Sequence, residues 1–273
     1  MLRPSMFAGA IAVVLTLVIG STLPAADEPK SILMIGNSLI YTWDIPSVLR
    51  AMAAERKKTV DIVVHTTGGK GIVWHWSNQS KPSNQTAPEA IKSRNWDLIV
   101  LEQAGPPLKE QPEYIKTLKD YVDLIRTTNK QTRVVLYMPW PYGGTVDAAS
   151  TKGLWDFYLG QADTLGISCS PIAKAFFHCE EQNPKLALID SQKDRTYAQD
   201  QVHSHQSPFG TYVAACTLFA SFYDENPIGL TVRTAGKEQI RFADADALLA
   251  QQVAWTSWGE YKAASTLFSG KGK

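Results

Sequence analysis

The sequence is poor in cysteine, in net charge and in long apolar runs, and each shortage removes a class of function. Cysteine occurs three times, at Cys169, Cys179 and Cys216. None forms a Cys-x-x-Cys pair or the Cys/His spacing of a zinc site. The 27 Lys and Arg residues against 26 Asp and Glu leave a formal net charge of +1. That balance offers no broad electrostatic footprint for nucleic acid or an anionic membrane. Arg56-Lys57-Lys58 is short and reads as a solvated helix end. The G-x-S-x-G elbow of the common α/β-hydrolases is missing. The glycines at Gly68, Gly69 and Gly71 lead to no Gly-Lys-Ser/Thr, and Trp74 occupies the last position of G-x-G-x-x-G, so neither phosphate-binding fingerprint is complete.

What is present begins with a short apolar stretch, FAGAIAVVLTLVIG, Phe7 to Gly20, after a start carrying one Arg. Small residues, STLPAA, follow before Asp27-Glu28. This is the pattern of a secretory signal peptide over residues 1–26, and the run is short for a bilayer span of roughly 20 residues. The expectation is export to a periplasm or to the outside, with residues 27–273 as one domain. An exported chain can oxidise a cysteine pair, and Cys169 with Cys179 is the nearer one. Cys216, inside an apolar helical pattern, reads as a small buried hydrophobe.

Apolar, β-branched runs then alternate with helical patterns. Strands are expected at SILMI from Ser31, VDIVV from Val60, DLIVL from Asp97 and TRVVLY from Thr132, with LALI from Leu186 as a weaker fifth. Continuous runs of this kind suit a parallel sheet covered on both faces. Helical spacing is expected over 46–56, with Pro46 at a first position, then over 112–128, 148–165, 208–223 and about 243–264. Such alternation implies right-handed crossovers and an open α/β sheet. The polar segment SNQSKPSNQTAP, 77–88, reads as a surface loop with two glycosylation sequons, at Asn78 and Asn84. No internal repeat is present.

Ligands of open α/β sheets bind beyond the carboxyl ends of the strands. After the first strand stand Gly36, Asn37 and Ser38, either a turn with a polar cap or a serine delivered to the sheet rim. After the second come Thr66-Thr67-Gly68-Gly69-Lys70-Gly71, whose glycines can present unhindered N–H groups or simply turn the chain. After the third come Glu102 and Gln103, a polar strand end or a side-chain donor toward the crevice. Further on, Asp200, His203 and His205 crowd into six residues just ahead of the helix starting at Pro208. A serine needs a base, a carboxylate to hold that base, and oxyanion donors. All the types are here, in the order Ser, Asp, His.

These blocks resemble the SGNH (GDSL-like) hydrolases, in a bacterial branch with a Gly-Asn-Ser first block. The matching stretches are ILMIGNSLIYTW from Ile32 and HQSPFGTYVAACTLFASFYDENPIGL from His205, and the resemblance runs from Ser31 to about Leu230. It implies a flavodoxin-like three-layer α/β/α sandwich on a mainly parallel five-stranded sheet. It implies Ser38 as nucleophile and, with its amide, first oxyanion donor. Gly69 supplies the second amide, with Gly71 as rival. The third block's usual Asn is absent from VLEQAGPP; Gln103 substitutes, unless Glu102 is the aligned residue. The Asp-x-x-His spacing fits Asp200 and His203, whereas the distance to Gly210 fits His205. His205 is favoured as base with Asp200 as its orienter, and His203 is the rival base.

The activity implied is ester hydrolysis through an acyl-enzyme, with no cofactor and no metal. Aromatic residues beyond the strand ends (Tyr41, Trp43, Trp74, Trp76, Trp140 and Tyr142) can stack on sugar faces or fill the core under loops. The partner expected is therefore a small-molecule or carbohydrate ester, with neither nucleic acid nor, once the signal is removed, membrane. Two alternatives stand beside it: an inactive carbohydrate-binding relative, given the missing third-block Asn, and a metal site at Asp200, His203 and His205.

Overall fold

The computed structural model describes residues 28–81, 83–103, 111–142, 146–190, 205–236 and 239–269. The expected signal peptide, Asp200 and His203 lie outside the described residues.

Four strands fall where the apolar runs place them: β1 (Ser31–Gly36), β2 (Asp61–Thr66), β3 (Leu98–Leu101) and β4 (Arg133–Tyr137). The fifth does not. LALI forms no strand of the sheet; Ile189 makes only an isolated antiparallel bridge to Gln206. The fifth strand is instead β5 (Ser168–Ser170), a three-residue SCS segment at one edge of the sheet, paired to β4. An edge strand of that length needs no apolar run, because its neighbour's ladder positions it. All five strands are parallel, in the order β2-β1-β3-β4-β5.

Side chains alternate across the sheet, so the central strands β1, β3 and β4 feed two cores. Ile32, Met34, Leu98, Val100, Val135 and Tyr137 face one layer. That layer is built from α2 (Ile45–Glu55) and α8 (Pro208–Tyr223), with much of α7 (Ile172–Gln182). Leu33, Ile35, Ile99, Leu101, Val134 and Leu136 face the other. It holds α3 (Ile72–Ser77), α4 (Ala87–Lys92), α5 (Gln111–Thr128) and α6 (Ala148–Leu165). The result is the expected three-layer α/β/α sandwich.

Helix α8 is buried from Phe209 through Phe222 on every side. It is apolar all round, as a fully enclosed helix must be. Its cover comes from α2, α7 and α9 (Asp244–Ala264). Helix α9 also reaches the sheet edge, where the Tyr261 hydroxyl accepts from Cys169 N–H at 3.0 Å. A small antiparallel pair, β6 (Thr234–Ala235) with β7 (Ile240–Arg241), and the final turn α10 (Thr266–Ser269) complete the fold. All three cysteines are free and buried, so Cys169 and Cys179 form no disulfide. Among the described residues no helix is long and apolar enough to cross a membrane.

Candidate active site

The strand order puts β1 between β2 and β3, so three strand ends open side by side at one rim. Gly36 pairs in register with Thr66, and Ile35 with Leu101. Ser38, Gly69 and Gln103 each lie two or three residues past those ends. This is the topological switch point of a doubly wound sheet, where such folds bind ligands.

Ser38 is the first residue of α1 (Ser38–Tyr41), a single helical turn. Asn37 caps it: its Oδ1 accepts from Leu39 N–H at 2.9 Å. The cap is itself held from below. Glu102, fully buried, accepts from Asn37 N–H at 2.7 Å and from Asn37 Nδ2 at 2.9 Å. Burial pushes the Glu102 carboxyl up to about 8, against the two hydrogen bonds from Asn37, which favour the charged form. Glycine is required just ahead of this cap. A Cβ on Gly36 would overlap the Glu102 carboxylate and come within 2.8 Å of Glu102 Cβ. The carbonyl of Gly36 is also held, accepting from His75 Nε2 at 2.8 Å and from Thr67 N–H at 3.1 Å.

Ser38 keeps part of its surface exposed. His205 Nε2 lies 2.7 Å from Ser38 Oγ, within hydrogen-bond range for a serine donating to an unprotonated imidazole. The two residues are 167 positions apart. The His205 backbone is fixed by main-chain bonds: Asp190 N–H donates to His205 O at 2.9 Å and Ser207 N–H to Leu188 O at 2.8 Å. Immediately afterwards Ser207 caps α8, its Oγ accepting from Gly210 N–H at 2.9 Å. Gly210 lies so close to the Leu188 carbonyl that any Cβ there would collide with it. His205, the histidine favoured by its spacing to Gly210, is thus brought to Ser38. Its proposed orienter Asp200 and the rival His203 fall outside the described residues.

Gly69 sits at φ +66° in a turn closed by Lys70 N–H donating to Thr67 O at 3.1 Å, with open space where a side chain would be. Its rival Gly71 caps α3 and accepts from His75 N–H at 3.1 Å. Gly69 and Gln103 share the lining of one cleft of about 540 Å³ with Trp74, Lys70, Asn78 and Glu113. Gln103 therefore faces the cleft, whereas Glu102 turns into the core onto Asn37. The Glu102–Asn37 pair was not foreseen from the sequence. Its one signal is an acidic residue closing an otherwise apolar strand.

The aromatic residues divide. Trp74 lines the cleft, with Lys70 Nζ 5.9 Å from its ring centre. Tyr41 is exposed beside Gly68. Trp140 is wholly buried, stacked on Phe176 with ring centres 4.5 Å apart. Trp76 packs edge-on against Tyr121. His75 is structural, buried beneath Gly36, with His65 at 5.0 Å between ring centres. Burial, and then the neighbouring His75, lower His65 to about 4. No cluster of three His, Cys, Asp or Glu side chains suited to a metal occurs among the described residues. The alternative metal reading needs Asp200 and His203, which are not among them.

Neither family models nor curated proteins give a match to the chain. Solved structures do. A DUF4886 family protein from Bacteroides uniformis is similar over 83% of this chain and 93% of its own, at 19% identity and a TM-score of 0.62. A carbohydrate esterase family 3 protein from Talaromyces cellulolyticus is similar over 71% of this chain and 96% of its own, at 10% identity and a TM-score of 0.50. What the chain shares with these proteins is the α/β fold on a parallel five-stranded sheet. At these identities the likeness is one of fold, and the chemistry lies in the residues of this chain.

Proposed function

We propose that this protein is an exported serine hydrolase that cleaves carboxylic esters through an acyl-enzyme. One observation carries the reading: the hydroxyl of a part-exposed serine 2.7 Å from an imidazole nitrogen, at the rim where the strand order reverses. His205 Nε2 takes the Ser38 proton as Oγ attacks the ester carbonyl. The tetrahedral oxyanion is met by the amides of Ser38 and Gly69 and by the Gln103 carboxamide. As it collapses, the C–O bond to the alcohol breaks and His205 returns the proton to the leaving alkoxide. Water then attacks the acyl-Ser38 carbonyl, losing its proton to His205, and the carboxylic acid departs as Ser38 is restored. Asp200 holds the imidazole in the tautomer this needs. Loss of one oxyanion donor costs about 3–4 kcal/mol of barrier, roughly a hundred- to a thousandfold in rate.

An acetylated carbohydrate is the proposed substrate class. The cleft beside Gly69 and Gln103 is far roomier than an acetyl group needs, and its size fits a whole small-molecule ligand. The Trp74 ring offers a stacking face, and Lys70, Asn78 and Glu113 offer partners for hydroxyls. Export from residues 1–26 would place the enzyme where such esters occur; N-terminal sequencing of the mature protein checks it.

The test is hydrolysis of short-chain aryl esters and acetylated sugars by the mature protein, with fluorophosphonate labelling. Activity should be lost in Ser38→Ala and His205→Ala and be less affected in His203→Ala. The opposite histidine pattern would move the base to His203. A second reading, an inactive carbohydrate-binding relative, is favoured by Glu102-Gln103 standing where an Asn is usual. Covalent labelling of Ser38 would exclude it. Full activity in the presence of chelator would exclude the metal site.

A further inference from the structure

We infer that Gln206 is a positioning residue for the serine–histidine pair, its carboxamide holding the one-turn helix that carries Ser38 at the distance at which His205 can take the serine proton. The inference rests on the hydrolase reading above and adds to it a residue outside the triad and the oxyanion donors.

Helix α1 is too short to satisfy its own carbonyls. Ser38 O accepts from Thr42 N–H at 2.8 Å, and there the helical ladder ends. Leu39 and Thr42 are left with carbonyls that a longer helix would have paired. Gln206, fully buried, donates from Nε2 to both, at 2.9 Å to Leu39 O and 3.1 Å to Thr42 O. Both partners are carbonyl oxygens and can only accept, so the amide has one possible orientation. The Gln206 backbone is the bridge partner of Ile189, in the same clamp that fixes His205. Two neighbouring side chains from one rigid strap thus grip opposite ends of one helical turn. His205 meets Ser38 at its start, and Gln206 meets Thr42 at its end.

Packing alone does not account for this side chain. Gln206 Oε1 is buried without a hydrogen-bond partner, a cost that an apolar residue of the same length would avoid. What the amide provides in return is a fixed separation between the strap and α1. A reacting pair displaced by about 1 Å loses on the order of a hundredfold in rate. Gln206 touches neither Ser38 nor, in this scheme, substrate, so it acts through the turn it holds.

The experiment compares the full-length parent with Gln206→Met and Gln206→Glu, using p-nitrophenyl acetate hydrolysis, fluorophosphonate labelling and circular dichroism. In Gln206→Met, kcat should fall ten- to a hundredfold with KM within twofold, and labelling should slow by a similar factor while the protein remains folded. In Gln206→Glu a carboxylate donates nothing and a carboxylic acid donates once. The ratio of its kcat to the parent's should therefore rise as pH falls from 8 to 5. The role is overturned if Gln206→Met keeps kcat within twofold, if its loss merely tracks the folded fraction, or if the Gln206→Glu ratio is flat. Should Gln206→Met fail to fold, that ratio decides. A parent that is neither active nor labelled sinks the hydrolase reading together with this role; a labelled parent with an unaffected variant sinks the role alone.

Discussion

Glu102 should make the stability of this protein fall as pH rises through neutrality. Burial raises its carboxyl from near 4.5 to about 8. Between those values the folded state binds a proton that the unfolded state has released. Stability then decreases with pH across that window, because the native state holds the more protons. The contribution is complete below about 4.5 and gone once pH passes about 8. A displacement of that size corresponds to roughly 5 kcal/mol as an upper bound. That rivals the whole stability of a typical domain, so even a third of it is measurable. Glu102→Gln removes the titration but creates a conflict. Gln offers one acceptor where Asn37 presents two donors, N–H to Oε2 and Nδ2 to Oε1. The unmatched donor should cost about 1–3 kcal/mol. Urea denaturation of parent and Glu102→Gln at pH 5 and pH 9 separates the two effects. The variant should be less stable at pH 5, and the gap should close or reverse by pH 9. Every other group titrates in both proteins and cancels in the difference. Parallel pH profiles for the two would refute the reasoning, because they would mean that Glu102 is charged throughout and its burial is fully offset by Asn37.

Four further outcomes follow from the same structure. Gly210→Ala, pressing on the Leu188 backbone carbonyl, should lower the melting temperature by many degrees, and an unchanged melt would mean that the strap can move. Gly36→Ala should both destabilise the fold and slow fluorophosphonate labelling, since Glu102 and the Asn37 cap must shift together. The three thiols should stay unreactive to a colourless disulfide reagent until denaturant is added, and reductant should leave the melt unchanged. His65 acts in the opposite sense to Glu102: lowered to about 4, it contributes stability above its usual value near 6.5 that disappears as pH falls through 4. His65→Phe should flatten the acid limb of the stability curve.

The sheet's centre was legible because β1, β3 and β4 carry apolar runs, as parallel strands covered on both faces do. The edge strand β2 was legible too, through Ile62, Val63 and Val64, but the opposite edge was not. Ser168–Ser170 takes its place from the β4 ladder and carries no run of its own, whereas Leu186 to Ile189 has the run without the pairing. Ser38 and His205, which the fold brings within 2.7 Å of each other, could be singled out because one follows the first strand and the other stands at a set distance before Gly210. Glu102 read as a polar strand end because a carboxylate is the side chain least expected in a core. Only the fold reveals that Asn37, 65 residues earlier, faces it. Gln206 was hidden for a different reason. Its two acceptors are main-chain carbonyls, which every sequence has and no sequence displays.

Helix α8 has no wet face, and residues that cover its outer side belong to α9, further along the chain. During synthesis, a nascent chain that has emerged only as far as Leu230 holds a sixteen-residue apolar rod with one flank bare. The strap that fixes His205 is anchored to that rod, so the His205 imidazole cannot be settled before α9 has been made to cover it. Truncations from the carboxyl end should therefore aggregate rather than shorten the protein gracefully, and a chaperone holding the nascent chain would find its binding site at α8.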